Sequence, residues 1–475
     1  MAAIAPAHPP LSAATRRVAW IVSVVFFIEQ LDATILAPAL PAMAADLGTS
    51  AITLSAAITA YLLGLAVLIP LSGRLAERFG DKRLFSLAVA GFLVTSAACG
   101  MAQSAEALIG LRFAQGLCGA LMAPVGRLIV LRAASTHEIV EAMALVILLA
   151  MIAPMVGPFL GGLLTTYLGW RWIFWINVPL CLGALGLVWR YLPATAGRRG
   201  IPFDIVGALL TGLGFAGVVY GLVLLGESHA PGAPGLLPAW ATLGGGLLLL
   251  VMYALHARRT ASPVLTLGLL QLRSFREAMS SGSVFRIAVG GLPFLLPLSL
   301  QQAYGYSPLA AGLVVLLPAC GGFAMKFFST RLLRRLGYRN GLFVHGLIVA
   351  VCLVLAGVLH PRDAGIAYAM VLVGFGWARS LQMNAFGTLA YADVDKPRLS
   401  SATSFFLSVQ NLTNALGVAL AAVLLRALAQ LPDLSLQDSH RWTYALLGAI
   451  ALVSALMCWT IPASTGGRLL ATRQS

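Results

Sequence analysis

The sequence predicts an all-α membrane protein with fourteen transmembrane helices. Of its 475 residues, 59% are hydrophobic and only 10% are charged, and the mean hydropathy is +0.90. A soluble chain carries about 25% charged residues, so a water-soluble core does not account for this composition. Apolar stretches of about 20 residues, the length that spans a bilayer, recur along the whole chain. The helices are predicted at 18–40, 52–72, 84–102, 106–132, 140–166, 172–192, 204–226, 238–257, 277–300, 309–330, 340–359, 365–390, 401–428 and 442–462.

The distribution of basic residues predicts the topology. If the helices alternate in direction, 22 of the 31 Lys and Arg residues fall in loops on one side, whereas the other side holds only Arg171, Arg362 and Arg441. This asymmetry follows the positive-inside rule and predicts that both termini are cytoplasmic. It also explains the net charge of +15 without a nucleic-acid partner. The first apolar run reaches spanning length without a cleavage site behind it, so we expect an uncleaved first helix.

Short segments in the first half carry the most specific patterns. In helix 5, Gly157, Gly161 and Gly162 allow a neighbouring helix to approach closely, while Pro154 and Pro158 bend the helix. The loop after helix 2 alternates acid and base, which allows ion pairs between neighbouring helix ends. The segments with such patterns are 31–41 in helix 1, 73–83 after helix 2, 111–120 in helix 4, 153–162 in helix 5, 169–179 before helix 6 and 203–207 at the start of helix 7.

The loops after helices 2 and 10 also resemble each other. Residues 75–82 and 332–339 are both basic, and both contain an Arg-x-Gly sequence. Each loop follows the second helix of a six-helix set if helices 7 and 8 are an inserted pair. Parallel six-helix repeats are one of the known ways to build a transporter.

Taken together, these segments resemble the signatures of the major facilitator superfamily, and in particular its fourteen-spanner drug:proton antiporter family. The segments around Arg127, Arg286, Lys326 and Arg379 are similar to a multidrug-exporter branch of that family. The resemblance runs from about residue 16 to 462. It implies a major facilitator fold with two six-helix bundles and an inserted helix pair. The implied domains are an N-terminal bundle at 12–192, two linker helices at 193–258, a C-terminal bundle at 259–462 and a cytoplasmic tail at 463–475.

The resemblance also implies which residues move or seal the two bundles. In the loop signature and in helix 5, conformational gating is expected of Gly73, Glu77, Arg78, Gly80, Gly157, Pro158, Gly161 and Gly162.

Charged residues inside the predicted helices are the candidate functional residues. An ionised group at the bilayer centre costs about 2.5–3.5 kcal/mol even on a lenient scale, so it normally faces a watery cavity or a partner. The acids of this kind are Glu29 and Asp32, and the bases are Arg112, Arg127, Arg286, Lys326, Arg379 and Arg426. Helices 1, 4, 9 and 12, which line the cavity in the superfamily, hold most of them.

Glu29, Asp32 and Arg112 are the predicted proton-coupling residues. The two acids are three residues apart and share a helix face. Asp32 and Arg112 both lie in the outer halves of their antiparallel helices, so we expect them to form an ion pair. Protonation of Asp32 would release Arg112, which makes the pair a candidate switch. The alternative is a fixed structural ion pair.

The basic residues of the second half predict an anionic substrate. Arg286 and Arg379 lie near mid-helix, and helices 9 to 14 hold no acid at comparable depth. An anion that binds and leaves is therefore their expected partner, such as a carboxylate or its metal complex. The alternative is that these arginines bond to helix carbonyls for structure. The residues predicted to bind substrate are Arg127, Arg286, Lys326, Arg379, Gln382, Asn384 and Gln302.

The expected function is export of small molecules across the bacterial inner membrane by alternating access in exchange for protons. No phosphate-binding loop is present, so we expect the proton gradient, with no cofactor and no metal, to drive transport. The six cysteines are scattered singly, which is typical of packing residues. The expected partners are the substrate and the lipid bilayer, with no nucleic acid, and the chain is expected to act as a monomer.

Two transport alternatives stay open: export of cationic or lipophilic drugs, and proton-coupled uptake, which the helix 5 signature opposes. A membrane enzyme would need a His or Cys cluster or an activated nucleophile, and the sequence contains none.

Overall fold

The computed structural model describes residues 11–135, 138–193, 197, 204–227, 235–260, 263–395 and 398–462. Within these ranges the chain is almost entirely helical and contains no strand, which confirms the predicted all-α class. The predicted tail at 463–475 lies outside the described residues. So do five of the basic loop residues used for the topology: Arg198, Arg199, Lys396, Arg468 and Arg473.

The first nine helices form the N-terminal half. They are α1 (Ala13–Ile35), α2 (Leu40–Asp46), α3 (Ala51–Leu54), α4 (Ala56–Phe79), α5 (Asp81–Gly100), α6 (Ala105–Ala133), α7 (Ile139–Tyr167), α8 (Trp172–Trp175) and α9 (Asn177–Tyr191). Two further helices follow, α10 (Ile205–Glu227) and α11 (Leu236–Arg259). The C-terminal half comprises α12 (Arg273–Gly290), α13 (Leu292–Gln302), α14 (Pro308–Val358), α15 (Gly365–Ala390), α16 (Leu399–Ala429) and α17 (Leu436–Trp459). Short 3-10 turns lie at Ala37–Ala39 and Leu267–Gln271.

The number of membrane-spanning helices agrees with the prediction. Among the described residues, 13 helical segments are long and apolar enough to cross a bilayer. Helix α15, with 26 residues, is long enough to be the fourteenth but is less apolar than the others. It carries Arg379, Ser380, Gln382 and Asn384 along its length. The least apolar span therefore carries three of the residues predicted from the sequence to bind substrate.

Proline decides where the first span breaks. Helix 1 was predicted to run to residue 40, but α1 ends at Ile35 and a 3-10 turn with Pro38 follows. Pro41 then stands at the start of α2. Proline has no backbone N–H to donate, so it starts helical segments and interrupts their interiors.

The two similar loops adopt similar backbone conformations. Gly80, between α4 and α5, has φ 84°, and Gly337, at the kink inside α14, has φ 72°. Only glycine adopts such angles without steric cost, which explains the Arg-x-Gly sequence in both places. Predicted helices 10 and 11 therefore appear as one kinked element, α14, with the turn at Gly337.

The two halves meet at the face opposite residues 13 and 459. We call the face that holds residues 302–308 the distal face, and the face that holds residues 13 and 459 the terminal face. At the distal face, the Gln301 amide donates to the Pro38 carbonyl at 2.9 Å. Nearby, the Arg426 guanidinium donates to the Thr53 hydroxyl at 2.6 Å. The halves are thus closed against each other at this face.

The inserted helices lie at one side of the boundary between the halves. Helix α10 packs against α4 of the N-terminal half and α16 of the C-terminal half. Helix α11 packs mainly on α10, where Gly217 and Gly246 allow the two backbones to meet. Its outer surface is rich in exposed apolar side chains, among them Leu237 and Trp240.

Candidate functional site

Asp32 and Arg112 form the ion pair that the sequence predicts. The Arg112 Nη1 atom lies 2.5 Å from Asp32 Oδ2, and both side chains are fully buried. The pair exists because α1 packs along α6, where Gly126 admits the side chains of Val22 and Phe26. A charge-assisted hydrogen bond of this length is among the stronger polar contacts in proteins.

Two buried amides complete the surroundings of Asp32. Gln115 Nε2 donates to Asp32 Oδ1 at 3.1 Å, and Asn177 Nδ2 donates to the same oxygen at 2.8 Å. Gln115 also accepts from Arg112 at 2.7 Å, and Asn177 donates to Ser96 at 3.1 Å. Both carboxylate oxygens of Asp32 are therefore occupied, and its charge is neutralised locally.

Glu29 is in the opposite situation. It is buried, with 5% of its surface exposed, and its Oε2 atom has no hydrogen-bond partner among the described residues. Arg127 is a base on this side of α1, and its guanidinium lies 5.7 Å from the centre of the Phe26 ring. Phe26 and Glu29 are three residues apart and share a helix face. Arg127 thus lies beside Glu29 without forming an ion pair with it.

Arg286 is a buried cation without a counter-ion in the described part of the chain. Its exposed fraction is 0%, and no described residue forms a hydrogen bond with any of its three guanidinium nitrogens. Its charge lies over the ring of Phe406, 4.6 Å from the ring centre. A desolvated cation–π contact contributes about 2 kcal/mol, whereas an isolated charge in an apolar medium costs far more. The positive charge of Arg286 is therefore largely uncompensated.

The other predicted substrate residues do not gather around Arg286. Arg379 is partly buried, and its Nε has no partner among the residues that the structure describes, while the side chains of Lys326 and Gln302 are exposed. Asn384 is partly buried. Gln382 is fully buried and donates to the Leu342 carbonyl at 2.6 Å, so its amide nitrogen links α15 to α14.

In the loop signature after α4, the acid that forms an ion pair is Asp81 and not Glu77, the acid that the resemblance implies. Glu77 and Arg78 are exposed, and Gly73 has open space around it. The buried acid is Asp81, which pairs with Arg132 of α6 at 3.1 Å. This pair ties the turn at Gly80 to the end of α6.

The helix 5 signature lies where the halves close. A side chain at Gly157 would clash with Thr34 of α1, and one at Gly161 would clash with the Ile35 carbonyl. Gly162 instead faces the backbone of Pro308, at the start of α14 in the other half. Likewise, Gly312 of α14 packs so close to the carbonyl of Pro158 that a side chain there would clash with it. Helix α7 therefore contacts both α1 and the opposite half through its glycines.

Several residues of the site were missed at the level of sequence. Gln115 lies three residues after Arg112 on the same face, a spacing that could have identified it. Asn177 lies in the patterned segment 169–179, but nothing in that segment indicated its contact with Asp32. Tyr61, whose ring lies 4.3 Å from the Arg112 guanidinium, comes from a distant part of the chain and gave no local signal. The same holds for Phe406 and Tyr391, whose rings lie 5.8 Å apart beside Arg286.

The chain belongs to the major facilitator superfamily, whose family model matches residues 22–412 and, in a second match, 278–473. It is 34% identical over 460 residues to "Putative multidrug resistance protein MdtD" of Pectobacterium carotovorum subsp. carotovorum (strain PC1), with 96% of this chain and 97% of that protein covered. It is 33% identical over 455 residues to "Probable transport protein HsrA" of Haemophilus influenzae (strain ATCC 51907 / DSM 11121 / KW20 / Rd), with 95% and 96% covered. These similarities confirm the resemblance that the motifs indicate.

Solved structures give the same fold. A D-xylose-proton symporter superimposes with a TM-score of 0.69 at 12% identity, over 96% of this chain and 99% of that one. The POT family transporter PepTSo superimposes with a TM-score of 0.68 at 14% identity, over 98% of this chain and 100% of that one. At such identities the comparison shows the fold alone.

Proposed function

We propose that this chain exports small molecules across the bacterial inner membrane in exchange for protons. The names of its relatives, a multidrug resistance protein and a transport protein, support export as the direction. The halves would rock between a state closed at the distal face and a state closed at the terminal face. The positive-inside rule supports a cytoplasmic terminal face, and a single chain holds both halves, so a monomer suffices.

The observation that carries the proposal is the contrast between two acids on α1. Asp32 accepts hydrogen bonds at both oxygens, whereas the buried Glu29 has an oxygen without a partner in the described part of the chain. An ionised carboxylate without hydrogen bonds is costly away from water, and protonation removes that cost. Glu29 is accordingly the residue that exchanges the proton, and the Asp32–Arg112 pair responds to the change of charge beside it.

On the substrate side, the unpaired Arg286 favours an acidic group. Arg379 and Arg127 add to the positive potential on the two halves, and Lys326, Gln302, Asn384 and Gln382 are secondary candidates. Gln382 is the weakest of these, because its amide nitrogen already bonds to Leu342. Gating is assigned to the turn at Gly80 with its neighbours Gly73, Glu77 and Arg78, and to Gly157, Pro158, Gly161 and Gly162.

Transport by purified protein in liposomes tests the exchange. A proton gradient is imposed across the membrane, and movement of anionic and cationic solutes is followed at two pH values. In the wild type, substrate should move in the direction opposite to the proton flow and accumulate on the more acidic side. Glu29→Gln should still exchange substrate for substrate across the membrane, but its transport should no longer respond to the proton gradient. Gradient-driven transport that persists in Glu29→Gln would remove Glu29 from the proposal. Transport that ignores the gradient in the wild type would contradict proton exchange altogether.

A further inference from the structure

Three unpaired charges lie on facing parts of the two halves. Within the described ranges, Glu29 and Arg286 are buried with unpartnered polar atoms, and Arg127 is partly buried with its Nε unpartnered. None of the ion pairs found among the described residues includes any of them. One acid and two bases are therefore available to form ion pairs with a ligand.

Each of the two bases lies over an aromatic ring, and Tyr391 lies close to both bases. Arg127 lies over Phe26 of α1, one turn from Glu29, and Arg286 lies over Phe406 of α16. Tyr391, at the end of α15, contacts Phe406 and is close enough to both Arg127 and Arg286 to interact with their charges.

The rings of Phe406 and Tyr391 lie close to the N-terminal half. Leu407, the neighbour of Phe406, packs against the apolar core of the N-terminal half. Groups from both halves therefore border one region. A ligand held there would contact each half, as alternating access requires.

Electrostatics decides what such a ligand has to carry. In proton exchange, the protein binds either the substrate or the proton at one time. The substrate and the proton therefore compete for one group, which is Glu29 in the proposed function. A purely anionic ligand near Glu29 would strengthen proton binding there, since each binding event would lower the cost of the other. Proton and anion would then travel together. A purely cationic ligand would compete with the proton but would leave the charge of Arg286 without a partner.

We propose that the substrate is amphoteric, with a basic amine that replaces the proton at Glu29 and an acidic group that pairs with Arg286. The inference rests on the proposed function, since it assumes proton exchange at Glu29. The step balances in charge: protonated Glu29 and a substrate ammonium become an ionised Glu29–ammonium pair and one released proton. A carboxylate suits Arg286 because its two oxygens match the guanidinium fork.

Binding of three matched solutes to the purified full-length protein tests the inference. The amphoteric probe is para-(aminomethyl)benzoic acid, the cationic analogue is its methyl ester, and the anionic analogue is its N-acetyl derivative. Affinity is measured by calorimetry, and proton release is followed with a pH dye in weakly buffered detergent solution. The amphoteric probe should bind most tightly and release a proton. The ester should release a proton but bind at least tenfold more weakly, and the N-acetyl derivative should bind without proton release.

Variants assign the two contacts. Arg286→Met should weaken binding of the amphoteric probe at least tenfold while leaving the ester unchanged, and Glu29→Gln should abolish proton release. The matched control is Arg339→Met, because Arg339 also lies over an aromatic ring, that of Trp459 at 4.2 Å, on a different part of the C-terminal half. It should leave all three affinities unchanged.

The outcomes separate this inference from the proposed function. If the ester is exchanged for protons in liposomes and binds as tightly as the amphoteric probe, export stands and the amphoteric substrate is wrong. Equal binding of the probe to wild type and Arg286→Met also overturns the inference. If the amphoteric probe itself binds with proton uptake and moves together with protons, the proposed exchange is wrong.

Discussion

Arg112 and Arg286 are the two fully buried arginines of the described chain, one in each half, and their surroundings differ. Arg112 pairs with Asp32 and bonds to Gln115, and its guanidinium lies over the ring of Tyr61. Arg286 has an aromatic ring as well, Phe406, but no acceptor at all among the described residues. The N-terminal half therefore neutralises its own buried charge, while the C-terminal half leaves one charge to be neutralised by something else.

Asp32→Asn should cause a severe loss of stability. It leaves Arg112 buried without an anion, and removing one partner of a buried pair costs about 3–5 kcal/mol. The free energy of unfolding in detergent measures the loss. The control is Asp46→Asn, which breaks the exposed pair with Arg171 at 2.6 Å and should cost at most about 1 kcal/mol. Equal losses in both variants would contradict the contrast between a buried and an exposed pair.

Arg286→Met, in contrast, should stabilise the protein. It removes a buried charge that has no partner in the described chain, so the free energy of unfolding should rise by at least about 1 kcal/mol. The same substitution at Arg112 leaves Asp32 uncompensated and should destabilise the protein by about 3–5 kcal/mol. Measuring both variants in one detergent system compares the halves directly. Similar destabilisation in both would mean that Arg286 has a structural partner.

Gly162→Val should disturb the closed distal face. The added side chain meets the backbone of Pro308 in the other half, and such overpacking costs about 1–3 kcal/mol. A cysteine at Gln301, in a background without the native cysteines, reports the effect through its rate of maleimide labelling. The rate should rise about tenfold, because 1.4 kcal/mol corresponds to a factor of ten. Gly183→Val, with open space around the glycine, should leave the rate unchanged.

Asp204→Asn should give the smallest effect and a dependence on pH. Burial raises the pKa of Asp204, but hydrogen bonds from His256 and the Gly207 N–H outweigh it and hold the pKa below its ordinary value of 3.8. The ionised acid thus stabilises the fold above that value, and the gain is lost as the pH falls through the lowered pKa.

For Asp204, the difference in unfolding free energy between wild type and Asp204→Asn should be below about 1 kcal/mol at pH 7, since Asn keeps the helix cap. It should begin to shrink as the pH falls below about 4 and vanish below the lowered pKa. A difference that grows on acidification would contradict the assigned sign.

The sequence was sufficient to predict which charged residues lie on the first span and to predict one ion pair between helices. Asp32 and Arg112 could be matched because both lie at similar depth in antiparallel helices, and membrane geometry leaves few partners at that depth. The lack of an acid near Arg286 was visible in the same way. The role of Gln382 was not, because whether an amide faces a cavity or a neighbouring carbonyl depends on helix rotation. The shared turn geometry at Gly80 and Gly337 was indicated by the repeated Arg-x-Gly sequence, since only glycine permits positive φ cheaply.

What the sequence alone determined is the all-helical membrane fold, the number of spans and the identity of the buried charges, because hydropathy and charge count are properties of each segment. What only the tertiary structure decided is which charges are satisfied. Asp32 is surrounded by donors from α6 and α9, whereas Glu29, three residues earlier on the same helix, has an oxygen with none among the described residues. Hydrogen bonds between distant helices require rotation, tilt and close approach to be fixed together, and no local pattern encodes those three quantities.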